Sequence, residues 1–237
     1  MSVDFTIIVP VYNEAENLHR VEEALLKYMK IAIKKTAVLF VDDGSTDQSL
    51  NLIQEICQRN KGFHYISFSK NKGLSTAIKA GFDYVKSPFV GYIDSDLQTD
   101  PEDFNLLLKK IGTFDLVNGV RQGRKDSFVK NMSSKFANLF RRAFTKDGMD
   151  DTGCPLKVIK TSYAKKIPMF RGLHRFLPAM ILLQNGRVKQ LPVRHYPRIA
   201  GKSKFHLHNR LFGPLIDCFA YLWMKKKYIN YKVLHKG

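Results

Sequence analysis

Between residues 5 and 120 the chain alternates short apolar runs with longer stretches of helical period, and few folds accept that rhythm. Apolar runs at 5–9, 37–41, 63–68, 89–93 and 114–120 are expected to be buried strands. From 14 to 30 the apolar residues Leu18, Val21, Leu25 and Met29 recur at the spacing of one helix face. A second helix is expected to run to about Arg59, capped by Ser45 or Thr46, with Leu50, Ile53 and Cys57 inward. A third is expected over 74–85, and Pro101 suits the first turn of a fourth. Consecutive strands linked through helices lie parallel, and the helices then cover both faces of the sheet. The expected fold is therefore α/β: a doubly wound, mainly parallel sheet with helices on both faces. Ligands of such sheets bind outside the carboxyl ends of the strands. Four polar clusters fall at those ends: Tyr12-Asn13-Glu14, Asp42-Asp43-Gly44-Ser45, Lys70-Asn71-Lys72-Gly73 and Asp94-Ser95-Asp96.

Past residue 118 the rhythm changes. A helix is expected over 126–146, a loop at 150–153, short helical pieces over 169–183, a strand-like run over 187–196 and a basic loop over 199–204. A last amphipathic helix, from His206 to about Tyr228, puts Leu207, Leu211, Leu215, Cys218 and Leu222 on one side and Lys225, Lys226 and Lys227 at its end. No linker and no internal repeat interrupts the 237 residues. The expected division is one catalytic domain over 1–204 with a basic amphipathic appendage over 205–237.

Charge is distributed unevenly. The chain carries 39 Lys and Arg against 21 Asp and Glu, yet residues 152–237 hold 18 of the bases and a single acid, Asp217. Such asymmetry points to a polyanionic partner, either nucleic acid or an anionic membrane surface, with a merely solvated basic face as the alternative. Phe212, Leu215, Phe219, Leu222 and Trp223 could lie in a lipid interface. The same helix could instead pack as core against the sheet, and its period alone leaves both open. No stretch reaches the roughly 20 apolar residues of a bilayer span, and the N-terminus has no basic segment before an apolar one. The expected location is cytoplasmic, peripheral on the inner face of the membrane. Cys57, Cys154 and Cys218 are too few and too scattered for a disulfide framework or a CxxC metal pair, which fits reduced thiols.

Asp94 and Asp96 follow an apolar strand and offer hard oxygen ligands for a divalent ion, with Gln98 adding an amide oxygen. Acids at strand ends are also common turn residues, so this pair alone is weak. Asp42 and Asp43 read either as a turn with a helix cap or as carboxylates facing a base or ribose. Gly201-Lys202-Ser203 has the tail of a phosphate-binding P-loop, but Tyr196 stands where its first glycine is required. No G-x-G-x-x-G occurs, so the dinucleotide fingerprint is missing. Asn131-Met132-Ser133 is a glycosylation sequon without a secretory signal to give it meaning.

Taken together, Ile8-Val9-Pro10-Val11-Tyr12-Asn13-Glu14, Val41-Asp42-Asp43-Gly44-Ser45-Thr46-Asp47, Asn71-Lys72-Gly73-Leu74 and Asp94-Ser95-Asp96-Leu97-Gln98 resemble family 2 glycosyltransferases of the GT-A fold. Asp151-Thr152-Gly153 and the run Arg198-x-x-Gly201-Lys202-Ser203-Lys204 are similar to the polyprenyl-phosphate sugar transferases, of the dolichyl-phosphate mannose synthase kind. The resemblance implies that Pro10, Tyr12 and Glu14 line a nucleotide pocket, that Asp42 or Asp43 faces the base, and that Lys72 lies near the nucleotide. It implies that Asp94, Asp96 and Gln98 hold Mg²⁺ or Mn²⁺ against the donor diphosphate. It places Asp151 near the acceptor, Arg198 and Lys204 in a phosphate clamp, and Arg121 and Arg124 among further phosphate ligands. Many such relatives carry transmembrane helices after this domain; a chain without them implies a peripheral form or a membrane-anchoring partner.

The implied activity is metal-dependent, inverting transfer of a sugar from a nucleotide-sugar donor to a polyprenyl phosphate. A phosphate monoester has its second pKa at about 6, so its oxygen is already a nucleophile at neutral pH and Asp151 is free to orient rather than abstract a proton. A second reading is a soluble family 2 transferase acting on a sugar or protein hydroxyl, which needs a real base, for which Asp151 is the candidate. A third is a nucleic-acid-binding protein using the basic third; it leaves the strand-end acids unexplained.

Overall fold

The structure is a computed structural model that describes residues 2–122, 142–197, 207–231 and 233–235, with backbone alone over 207–215. The first half follows the expected alternation: β1 (Phe5–Val11), α1 (Ala15–Ile31), β2 (Thr36–Asp42), α2 (Ser49–Arg59), β3 (Phe63–Ser67), α3 (Leu74–Tyr84) and β4 (Phe89–Tyr92). A 3-10 turn at Pro101–Asp103 leads into α4 (Phe104–Leu108), then come β5 (Leu116–Arg121), β6 (Lys157–Lys160) and α5 (Thr161–Lys165). A second 3-10 turn at Leu173–Phe176 precedes α6 (Leu177–Leu183), β7 (Val188–Val193) and α7 (Leu207–Lys227). One sheet takes all seven strands in the order β3-β2-β1-β4-β6-β5-β7. The β1–β2, β1–β4, β2–β3 and β5–β7 pairs are parallel. β6 alone runs antiparallel, wedged between β4 and β5.

Alternate residues of the strands feed two cores. Phe5, Ile7, Val9 and Val11 of β1 pack with Leu18, Val21, Leu25 and Tyr28 of α1, Ile53 and Ile56 of α2, and Phe104 and Leu107 of α4. Ile8 points to the other face, where α3, α5, α6 and α7 contribute Ala77, Ile78, Phe82, Ala164, Leu177, Met180, Cys218 and Tyr221. Each Val, Leu, Ile, Phe or Met among them stabilises the fold by about 1.5–3 kcal/mol on burial. Helices thus cover both faces, as expected, and each central strand reads as a continuous apolar run because it is buried on both sides.

Several local expectations change. α2 begins at Ser49, not after Ser45 or Thr46. Those residues are taken up by the neighbouring loop: Asn13 N–H donates to Ser45 Oγ at 3.0 Å, and Thr46 N–H to Asn13 Oδ1 at 2.7 Å. Asp47 Oδ1 accepts from Ser49 N–H instead, at 2.9 Å. β6 has no counterpart in the sequence rhythm, being four residues bracketed by lysines. Of the helix expected over 126–146, only a turn at 142–145 lies within the described residues.

In α7, Cys218 and Tyr221 are buried, and the Tyr221 ring stacks on Phe176 with centroids 5.7 Å apart. Ile216, Phe219 and Trp223 face outward at 68%, 60% and 68% exposure. The helix therefore docks on the sheet layer through one side, as the core reading expects, and leaves apolar residues exposed on the other. We predict that Tyr221→Ala lowers unfolding free energy by about 3 kcal/mol, as for other buried aromatic truncations. Urea unfolding checks this; an unchanged midpoint would mean that α7 is only loosely attached.

Candidate active site

The chain order reverses between β1 and β4, where β2 and β3 lie to one side and β4, β6, β5 and β7 to the other. That switch point opens a crevice at the carboxyl edge. β1 pairs with β4 only as far as Ile8, so Pro10 sits beyond the last pair on that side, where a proline interrupts no ladder with β4. Tyr12, Asn13 and Glu14 follow at the rim and are partly buried. Asn13 adopts a positive φ of 51° and is tied to Ser45 and Thr46, while Glu14 N–H donates to Ser49 Oγ at 2.9 Å. Glu14 Oε2 accepts from Asn17 Nδ2 at 2.7 Å. The β1–α1 and β2–α2 turns are thereby fastened into one wall.

Asp42 and Asp43 are both buried, and both carboxylates are engaged within the fold. Asp42 accepts from Ser45 N–H at 3.1 Å and from Ser67 Oγ at 2.7 Å. Asp43 accepts from the backbone N–H groups of Lys72 and Gly73 at 2.7 and 2.8 Å, and from Asn71 Nδ2 at 2.9 Å. It thus draws the 71–73 loop, and the start of α3, onto the crevice. Gly44 makes this approach possible: its φ is +68°, and a Cβ there would collide with the Lys70 and Asn71 backbone. The Lys72 side chain is exposed.

At the end of β4, Asp96 is buried and its Oδ1 accepts from Gln98 N–H at 3.2 Å; Leu97 between them takes a φ of 51°. This tight turn brings Asp94 and Asp96 round one bend. The Gln98 carbonyl accepts from Tyr196 N–H at 2.9 Å and contacts His195 Nδ1 at 2.9 Å. Arg194 anchors the same segment, reaching Asp103 at 2.9 Å and Asp100 at 3.1 Å, while its N–H donates to Asp103 Oδ2 at 2.7 Å. The chain leaving β7 toward 198 is therefore pinned beside the acidic turn.

Arg121, the last residue of β5, forms a two-pronged pair with Asp151: Nε to Oδ2 at 2.7 Å and Nη2 to Oδ1 at 2.8 Å. Burial opposes the Arg121 charge, but the Asp151 carboxylate more than offsets it and holds the guanidinium above its ordinary value. Asn118 Nδ2 donates to the Asp151 carbonyl at 3.0 Å. Behind the pair lies Lys157, wholly buried, whose Nζ donates to the Thr152 carbonyl at 3.0 Å, to the Cys154 carbonyl, and to Tyr92 Oη at 3.3 Å. Burial pushes its ammonium down to about 8, while the charges of Asp151 and Asp94 pull it back up. On the other flank Ser75, next to the 71–73 loop, accepts from Gly172 N–H at 2.9 Å and lies 2.8 Å from His174 Nδ1. Burial, with Arg175 and Lys157 nearby, pushes His174 down to about 3 and keeps it neutral.

The fold thus gathers Pro10, Tyr12, Glu14, Asp42, Asp43, Lys72, Asp94, Asp96, Gln98, Arg121 and Asp151 along one edge of the sheet. Arg198, Lys204 and Arg124 lie outside the described residues. Lys157, Asn118, Ser75, His174 and Arg194 were not anticipated. Only Lys157 leaves a trace in sequence, as a lysine on the Ile159 side of a short apolar strand. The rest depend on contacts between distant segments.

A model of the family described as glycosyl transferase family 2 matches residues 6–167. The chain belongs to this family. It is a glycosyltransferase. It is 32% identical to an undecaprenyl-phosphate 4-deoxy-4-formamido-L-arabinose transferase of Salmonella choleraesuis, over 91% of this chain and 67% of that protein. It is 27% identical to a dodecaprenyl-phosphate galacturonate synthase of Rhizobium johnstonii, over 95% of this chain and 68% of that protein. In fold it is similar to glucosyl-3-phosphoglycerate synthase of Mycobacterium tuberculosis, solved with Mn²⁺, UDP and glucosyl-3-phosphoglycerate. The TM-score is 0.71 at 14% identity, over 94% of this chain and 80% of that one. A mannosyltransferase of Pyrobaculum calidifontis, solved with GDP-mannose and Mn²⁺, gives a TM-score of 0.68 at 17% identity, over 93% and 66% of the two chains. These likenesses establish the GT-A fold of this glycosyltransferase.

His174 sets an acid limit on this site. Its folded pKa lies below the unfolded value of about 6.5, so the unfolded chain binds more protons as pH falls below that value. We predict that stability falls with decreasing pH between about 6.5 and 4, and that His174→Gln flattens this slope. Thermal unfolding across that range checks it; equal slopes for both proteins would show that His174 is not held neutral.

Proposed function

We propose that this glycosyltransferase moves a sugar from a nucleotide-sugar donor to a polyprenyl phosphate. One observation carries the reading: relatives that align over more than nine-tenths of the chain are named as an undecaprenyl-phosphate sugar transferase and a dodecaprenyl-phosphate galacturonate synthase. The site suits that chemistry. The crevice between β1 and β4, walled by Tyr12, Glu14 and the loops that Asp42 and Asp43 brace, is where a nucleotide would enter. Arg121, held in line by Asp151, stands at the next strand end and offers a fixed cation to a phosphate oxygen. Arg198 and Lys204 continue the basic segment that leaves the pinned Arg194–Tyr196 run, and we assign them to the acceptor phosphate.

Among the described residues no cluster of three or more His, Cys, Asp or Glu could hold a metal alone. Asp94 and Asp96 fit an ion of another kind, one bound by one or two hard carboxylates and completed by substrate phosphates. We assign Asp94 and Asp96 to Mg²⁺ or Mn²⁺, with Gln98 at the same turn. When bound, the ion neutralises the diphosphate as it departs. The chain's own residues do the rest. Asp43 fixes the donor loop, Arg121 spreads positive charge toward the leaving group, and Asp151 orients Arg121. The acceptor phosphate is anionic at neutral pH, so no side chain has to remove a proton. Direct attack on the anomeric carbon then inverts its configuration.

Residues 1–204 would form the catalytic unit and 205–237 the part that meets the membrane, at the cytoplasmic face. Among the described residues no helix is long and apolar enough to cross a bilayer. The Ile216, Phe219 and Trp223 stripe, with Lys225, Lys226 and Lys227 just beyond it, suits peripheral contact with anionic lipid. Each lysine near such a surface contributes about 1 kcal/mol.

Asp96→Asn, or EDTA, should reduce transfer to a short polyprenyl phosphate to near background while the protein stays folded, because the site loses a hard anionic ligand. Purified enzyme screened against nucleotide sugars with Mg²⁺ or Mn²⁺ is the assay. Equal transfer to a plain polyprenol would remove the phosphate from the acceptor's role. For the membrane, sedimentation with anionic vesicles should capture the protein, and high salt should release only part of it, since apolar insertion is not screened. Trp223→Ser should make the release complete; a protein that stays in solution with every vesicle would overturn the peripheral reading.

A further inference from the structure

The glycosyl-transfer reading uses Arg121 and Asp151 but leaves the lysine behind them without a task. Lys157 is wholly buried, and lysines are almost never so placed unless paired. Its strand explains how it comes to be there. β6 runs antiparallel between β4 and β5, with Lys157 opposite Tyr92 on one side and Asn118 on the other. Tyr92 and Asn118 lead to the two strand ends that carry Asp94 and Arg121. The Lys157 ammonium lies 5.2 Å from the Tyr92 ring centroid and donates to Tyr92 Oη, to the Thr152 carbonyl and to the Cys154 carbonyl. Those carbonyls belong to the turn that directly follows Asp151. Asn118 clasps the same turn from the other side, through the Asp151 carbonyl at 3.0 Å. Packing leaves no slack: a Cβ on Gly91 would come within 2.5 Å of the Lys157 carbonyl.

We propose that Lys157 is a positioning residue for transfer: an interior cation that fixes the 151–154 turn and thereby sets the Arg121–Asp151 pair at the crevice. Lys157 does not touch the substrate, because its side chain has no exposed surface. It acts through Asp151. A cation is suited to the work, since one ammonium satisfies several carbonyls that converge on one point.

This inference rests on the proposed transfer reaction, and its test separates the two. Lys157→Met keeps the length and apolar stem, and replacing a buried charge by an apolar group of similar volume is often tolerated. The variant should bind UDP or GDP with Mn²⁺, whichever the wild-type enzyme binds, within about twofold of wild type. Its kcat should fall about 10- to 100-fold, as for misplaced catalytic groups. Its crystal structure should show the Arg121–Asp151 pair parted. Combined with Asp151→Asn, it should cost no more than the larger single effect, as residues acting through one another do. An intact pair with unchanged kcat, multiplicative losses in the double variant, or equal losses in nucleotide binding and transfer would each overturn the proposal. Should Lys157→Met fail to fold, Tyr92→Phe decides: it removes one acceptor of the ammonium, and an unchanged kcat would overturn the role. If the wild-type enzyme transfers nothing to polyprenyl phosphate, the functional reading fails, while the crystal structure and the nucleotide titration still decide the place of Lys157.

Discussion

The insertion of β6 between β4 and β5 is the constraint on which the candidate site's edge depends. A strand running antiparallel to both neighbours begins at the edge where they end. The turn that feeds it, 151–156, must therefore cross the same rim that carries Asp94 and Arg121. Without that reversal Asp151 would lie at the far edge of the sheet, some four strand residues away. The buried charges follow from it. Asp151 and Arg121 meet because the incoming turn passes the outgoing end of β5, and Lys157 meets carbonyls because it is the first residue of the inserted strand.

The two halves of the edge are held by different means. Beside β1 and β2, side chains of one loop cap the backbone of another: Asp43 takes the 72 and 73 amides, Ser45 takes the Asn13 amide, and Ser49 takes the Glu14 amide. Backbone N–H groups in tight turns must be satisfied, and these acids and hydroxyls do so while leaving the crevice open. On the other side the fastening is ionic. Arg121–Asp151 and the Arg194 cluster with Asp100, Glu102 and Asp103 are multiply bonded pairs, and Lys27 reaches Glu102 from α1 at 2.8 Å. Such pairs are weak stabilisers when exposed. Here the carboxylates of Asp103 and Asp151 are buried, and Asp103 holds the start of the chain leaving β7 through Arg194.

The C-terminal helix is fastened to the sheet layer that holds α3. Its inner side, Cys218 and Tyr221, shares a core with α3 and with the Leu173–Phe176 turn. Its Asp217 carboxylate lies against Gly172, whose N–H is bound by Ser75 at the start of α3. Burial raises the Asp217 pKa, with Arg175 pulling it partly back. The single acid of residues 152–237 is thus taken up in an internal contact, while Lys225, Lys226 and Lys227 at the end of the helix are exposed.

The sequence by itself determined the strand–helix alternation, the covering of both sheet faces and the family. These are local properties: period, turn chemistry and contiguous motifs such as Asp42-Asp43-Gly44-Ser45 lie within a few residues of one another. It also marked the strand-end acids, because residues at the carboxyl edge of a parallel sheet can be counted off the strands. Tertiary structure alone decided the strand order, the reversal of β6, the pairing of Arg121 with Asp151 thirty positions away, and the contact of Ser75 with His174 ninety-nine positions away. It also split α7 into a buried side and an exposed one, and showed that the apolar period of residues such as Cys218 and Phe219 was serving two surfaces. The physical reason is the same throughout. A hydrophobic period says that a face will be covered, but which segment covers it depends on the order in which strands assemble, and no short window of sequence contains that order.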